Sequence, residues 1–120
     1  MMLIKDIQRL AGEAQEHVNF TVAPQKRLAG NPQQQIDNFF TSPCQQFQCG
    51  VWQCDQGHWQ VSYQEYEYCE ILAGSSVIID SEGNRLTVAV GDRFVIPAGF
   101  SGSWLVDEFC KKVYVVFEPK

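Results

Sequence analysis

Four residues able to act on a small molecule stand in the second half of the chain: Tyr63, Glu67, Cys69 and Lys112. Tyr63, Glu67 and Cys69 have the same parity. In an extended strand without a bulge they would lie on one face. A carboxylate, an ammonium, a phenol and a thiol brought together can support proton transfer or hold a small polar metabolite. An ammonium next to Glu67 and Cys69 would favour their ionised forms. Trp52 and Trp104 are candidates to line such a site, because ligand pockets combine aromatic walls with a few polar groups. Each has a plainer alternative. Trp52, Trp104 and Tyr114 could be core packing, Cys69 a small buried apolar residue, and Lys112, beside Lys111, a solvated strand end.

Metal chemistry finds less support. Cys44, Cys49 and Cys54 recur at intervals of five, with His58 as the nearest fourth ligand. Zinc sites usually place two to four residues between paired ligands. The five cysteines therefore read as reduced thiols. The chain has two histidines, His17 and His58, so one subunit cannot assemble a three-histidine site. No metal and no other cofactor is expected.

Other classes are excluded by charge and hydropathy. The net charge is −5 and the basic residues are scattered, so no basic stripe is available to nucleic acid. No apolar run approaches the roughly 18–20 residues that span a bilayer. Lys5, Asp6, Arg9 and Glu13 interrupt the N-terminal segment, unlike a secretory signal. These features suit a cytoplasmic protein of one domain whose partner is a small-molecule ligand.

The elements that must position these residues divide into two parts. Leu3, Ile7, Leu10, Ala14 and Val18 recur at three- and four-residue spacing, which predicts one amphipathic α-helix. Phe20 to Gln48 is polar and rich in turn signals, which predicts an irregular wrapping loop. Residues 1–49 are thus expected to form a helix and a wrap, and 50–120 a barrel. From Gly50 the pattern changes to short strands separated by tight turns. Trp59, Val61 and Tyr63 alternate with polar residues, as do Leu86, Val88 and Val90, and Asp80–Asn84 reads as a hairpin turn. Many short strands with regular turns indicate an all-β sandwich or barrel.

Two motifs then bring in a resemblance. Gly91, Pro97 and Gly99 fit the spacing G-x5-P-x-G, and Glu67 precedes Gly74 by six intervening residues. Both resemble the paired motifs of the cupin superfamily. Gly50-Val51-Trp52, the segment from Glu67 to Gly74, Gly91 to Phe100, Gly102-Ser103-Trp104 and Lys111 to Val116 are similar to small cupins related to ureidoglycine aminohydrolase and to ethanolamine-utilisation cupins. The resemblance implies an RmlC-like double-stranded β-helix, or jelly-roll barrel, preceded here by the N-terminal α-helix. It also implies that Glu67 faces the barrel interior, that Lys112 belongs to the pocket, and that the protein pairs as a homodimer. Metal-dependent cupins bind their ion with two histidines and a glutamate from the first motif and a histidine from the second. In this chain the histidine pair falls on Gln60 and Ser62, or on Val61 and Tyr63, and the last histidine falls on Gly102. The expected function is a metal-independent cupin that binds, or acts on, a small polar metabolite through Glu67, Cys69, Lys112 and Tyr63, with Trp52, Trp104, Gln60 and Ser62 as ligand contacts. A non-catalytic sensor module and a metal-dependent aminohydrolase-like enzyme are the alternatives.

Overall fold

β-Branched and aromatic residues recur throughout the chain beyond Gly50, and such side chains suit a pleated, half-buried surface. In the computed structural model, which describes every residue from Met1 to Lys120, eight strands form a continuous antiparallel sheet. They are β1 (Glu16–Thr21), β2 (Arg27–Ala29), β3 (Gln33–Thr41), β4 (Phe47–Ser62), β5 (Tyr66–Asp80), β6 (Arg85–Ala89), β7 (Arg93–Ile96) and β8 (Ser101–Phe117). The hairpin turn expected at Asp80–Asn84 is present. Asp80 Oδ1 accepts the backbone N–H groups of Glu82 and Asn84, each at 2.9 Å, and Gly83 turns the chain with φ +83°.

Three strands are long: β4 has 16 residues, β5 has 15 and β8 has 17. Each passes through both halves of a barrel. One half contains β1, β3, the start of β4, the end of β8, the start of β5 and β7. The other contains β2, the end of β4, the start of β8, the end of β5 and β6. The long strands bend where their register slips, at Asp55/Gly57 in β4 and between Ile71 and Val77 in β5. Each slip also reverses the parity that faces inward. Trp52 and Cys54 are buried before the break in β4, and Trp59 after it. The enclosed core joins Cys54, Cys69, Ile71, Ile78, Val88, Val106 and Cys110 to the three tryptophans. The fold is a cupin β-barrel, and no helix is long and apolar enough to cross a membrane.

The N-terminal half departs from expectation. The amphipathic helix is absent, and only a 3-10 turn forms, at Ile4–Asp6. Leu3, Ile4 and Ile7 are exposed, so the apolar stripe has nothing to pack against, and an unsupported helix of this length is marginal in water. Gly12, at φ +78°, breaks the run, and Val18, Phe20 and Thr21 pair as strand β1 with β3. The predicted wrapping loop contains β2 and β3. Strand β3 lies between β1 and β4 in the sheet.

Gly74 marks the bend of β5. It adopts φ +71°, and a Cβ there would collide with the carbonyl of Phe109 on β8. Gly83, also left-handed, has open space around it. Gly83→Ala is expected to cost about 1–2 kcal/mol, the left-handed penalty alone. Gly74→Ala should cost at least about 3 kcal/mol, because backbone must move as well. Urea unfolding of the two variants beside the wild type measures the difference.

Candidate functional site

The half of the barrel that includes β1 and β3 encloses a cavity of about 560 Å³. Lys112 from β8 and Glu67 from β5 meet in it, with Lys112 Nζ donating to Glu67 Oε2 at 2.7 Å. Both residues are almost fully buried, at 5% and 8% exposure. Cys69 stands two residues along the same strand and donates its thiol to the same carboxylate oxygen at 3.1 Å. Glu67 Oε1 accepts no hydrogen bond from the protein. The ammonium also lies over two indole faces, 4.9 Å from the ring centroid of Trp52 and 4.4 Å from that of Trp104. Each such contact contributes about 0.5–2 kcal/mol.

The indoles are fixed in turn. Trp52 and Trp104 pack edge to face at 5.9 Å. The Trp52 N–H donates to Gln34 Oε1 at 2.9 Å, and the Trp104 N–H to Ser76 Oγ at 3.0 Å. Nearby, the Tyr114 hydroxyl donates to Asn38 Oδ1 at 2.8 Å, and Asn38 Nδ2 donates to Thr41 Oγ1 at 2.8 Å. Tyr63 is positioned by its backbone. It exchanges hydrogen bonds with the second glycine turn, N–H to the Phe100 carbonyl at 2.9 Å and carbonyl from the Gly99 N–H at 2.7 Å. Its hydroxyl has no protein partner.

Burial and charge set the protonation states. Burial is the largest influence on Lys112 and works to lower its pKa, but Glu67, Cys69 and Tyr63 together more than reverse this, and Lys112 is held above its ordinary value as an ammonium. Burial pushes the Cys69 thiol up to about 12 and raises the Tyr63 and Tyr114 phenols. At neutral pH the cluster therefore comprises an ammonium, a protonated thiol and protonated phenols around the carboxylate. Cys69 is completely inaccessible, and its thiol orients Glu67 instead of facing the cavity.

The structure brings together Glu67, Cys69, Lys112, Tyr63, Trp52 and Trp104. It does not bring Gln60 and Ser62 to them. These are exposed on the outer face beside a separate shallow hollow, because the break at Asp55/Gly57 turns Trp59, Val61 and Tyr63 inward. Gln34, Asn38 and Trp59 are among the cavity residues that were not foreseen there. Gln34, Ile36 and Asn38 do alternate in the sequence. Two of the three are polar, so the alternation does not register as a buried face. Both histidines lie elsewhere. His17 pairs with Asp37 at 2.6 Å, and His58 contacts Ser103 at 2.9 Å. Cys44, Cys49 and Cys54 remain separate free thiols.

An antiparallel barrel with a glycine bend at Gly74, glycine turns at Gly91 and Gly99 and its polar cluster inside defines a cupin. Residues 41–114 match the EutQ-like cupin domain, and the chain belongs to that family. Among solved structures it resembles a DUF861-family protein of unknown function from Pseudomonas syringae, with a TM-score of 0.76 and 20% identity over 88% of this chain and 46% of that one. The chain thus spans about half the length of the Pseudomonas protein. The EutQ protein of Clostridium difficile gives 0.66 and 20% identity, over 81% of this chain and 79% of that one. An ethanolamine utilisation protein Q from Salmonella typhimurium gives 0.66 and 14% identity, over 88% and 98%. At these identities the likeness is one of fold. No curated protein matches the chain.

The buried pair makes two predictions. Lys112→Met leaves the Glu67 carboxylate in the barrel without a counter-ion and should cost about 3–5 kcal/mol in urea unfolding. Adding Glu67→Leu removes the stranded charge and should recover most of that loss, closing a double-mutant cycle. The second concerns alkaline pH. Cys69 titrates near 9.0 when unfolded and at about 12 when folded, and the folded-state pKa of Lys112 is raised above 10.5. In both cases the unfolded chain loses protons that the folded chain keeps, so stability falls as pH rises above 9. The urea midpoint should decline from pH 8.5 to pH 11, and less steeply in Cys69→Ala.

Proposed function

We propose that this protein is a metal-independent cupin that binds a small polar metabolite in the cavity around Glu67 and Lys112. The observation that carries the reading is the buried ion pair. Its ammonium lies 2.7 Å from the carboxylate that stands at the metal-glutamate position of the first cupin motif.

The residues present do not fit a divalent cation. The carboxylate is already neutralised. Of the inward first-motif positions, one is the aliphatic Val61 and the other is Tyr63, whose phenol burial keeps protonated. At Gly102, the second-motif position, a Cβ would collide with the carbonyl of Ile79, so no ligating side chain can be built there. Divalent metals of this kind favour imidazole and carboxylate donors, and neither histidine lines the cavity.

The chemistry that remains is recognition by hydrogen bonds and aromatic faces. Beside the ion pair, Glu67 Oε1 and the Tyr63 hydroxyl are free polar groups, held in place by the pair and the turn at Gly99. Proton transfer in this cavity, if a bound molecule needs it, falls to Glu67. The thiol is inaccessible and protonated, and the lysine keeps its proton.

The same reading includes a homodimer. Met2, Ile4 and Ile7 are 84%, 87% and 73% exposed, and β1 presents an open sheet edge. A second copy would cover both. Native mass spectrometry of protein purified from its own host checks the whole proposal. The expected species has twice the 13.6 kDa chain mass and carries a small organic molecule without stoichiometric metal. One metal ion per chain, retained after dialysis, would overturn the metal-independent reading.

A further inference from the structure

The charges around the cavity are unequal. Glu16, Glu65, Glu67 and Glu118 line it against a single ammonium, Lys112. Four carboxylates less one ammonium leave the wall at −3. Lys112 is already paired with Glu67, and the protein's other ion pair, His17–Asp37, lies outside the lining. Glu16, Glu65 and Glu118 therefore have no cationic partner. An entering anion would meet three carboxylates and no free positive charge.

The deep end has the same preference. Glu67 is 92% buried, as its 8% exposure gives, yet its Oε1 accepts from no protein donor. Oε1 is open to the cavity and not sealed away from it, so a donor on a ligand can reach it there. Between the two ends stand aromatic faces. Lys112 occupies those of Trp52 and Trp104, while the rings of Trp59 and Tyr63 carry no cation. The negative face of an aromatic ring attracts cations and accepts apolar groups equally well.

We propose that the cavity selects a small organic cation, an ammonium or substituted ammonium on an apolar body. Its charge lies among Glu16, Glu65 and Glu118, and its body lies against Trp59 and Tyr63. The assignment rests on the reading of the cavity as a ligand site. It adds the sign of the ligand, which that reading leaves open.

All three tryptophans of the chain line the cavity, so intrinsic fluorescence reports on it directly. Three probes of matched shape, benzylamine, benzyl alcohol and benzoate, are titrated at pH 7.5 and low ionic strength. Benzylamine, cationic at this pH, is expected to bind about tenfold more tightly than benzyl alcohol, the scale of screened attraction to the three open carboxylates. Benzoate should bind more weakly than either. Added salt should reduce the advantage of the amine and leave the alcohol unchanged. Glu65→Gln with Glu118→Gln should remove most of the advantage, whereas Glu108→Gln, away from the cavity, should not. Benzoate binding as tightly as benzylamine would overturn the cationic assignment and leave the cavity standing as a ligand site. Undisturbed tryptophan emission with all three probes would overturn both.

Discussion

An ammonium and a carboxylate withdrawn from water into a barrel each lose several kcal/mol of hydration. Lys112 and Glu67 are placed so that this loss is offset on every side. The two groups compensate each other at 2.7 Å, the Cys69 thiol adds a donor to the carboxylate, and two indole faces cover the ammonium. Those indoles are useful only in one orientation, and Gln34 and Ser76 fix it. The requirement thus spreads from one pair of charges to strands β3, β4, β5 and β8. It also explains why the inner face of β3 carries Gln34 where an ordinary core strand would carry an aliphatic residue.

That polar inner face is also where sequence reasoning stops. Alternation is legible when one face is apolar, as at Trp59, Val61 and Tyr63. In β3 two of the three buried positions, Gln34 and Asn38, are amides, so a strand with partners on both sides reads as a polar wrap. The N-terminal stripe failed for the opposite reason. Leu3, Ile7 and Leu10 have helical spacing, but periodicity describes a surface in search of a partner, and none is present in the chain. The turns at Gly91, Pro97 and Gly99 were legible because backbone geometry restricts the residue type at such corners, whereas Gly74, expected to close a turn, bends the continuous strand β5.

Within the site, the Glu67–Cys69 relation followed from strand parity alone, since no break separates them. Lys112 could be placed only through family resemblance, because both faces of the last strand are apolar and its parity is ambiguous. The choice between Gln60 with Ser62 and Val61 with Tyr63 depended on a one-residue slip of register, where Asp55–Gly57 of β4 runs against Val106–Phe109 of β8. A bulge has no strong sequence signature, yet it moves every following side chain to the other face.

The three long strands also determine how the barrel comes together and comes apart. Trp52 pairs with Lys112 and Gly50 with Tyr114, partners sixty or more residues apart in the chain. Such loops must close before any of their contacts repay the lost chain entropy, which places the protein among the slow, topology-limited folders. Because β4, β5 and β8 each run through both halves, no seam separates one half from the other. These strands are therefore expected to open as a single cooperative unit with the whole molecule, while β1, β2 and β7 at the margins fray at lower cost. The floor of the cavity is therefore built on the last part of the protein to open, and its rim on the first.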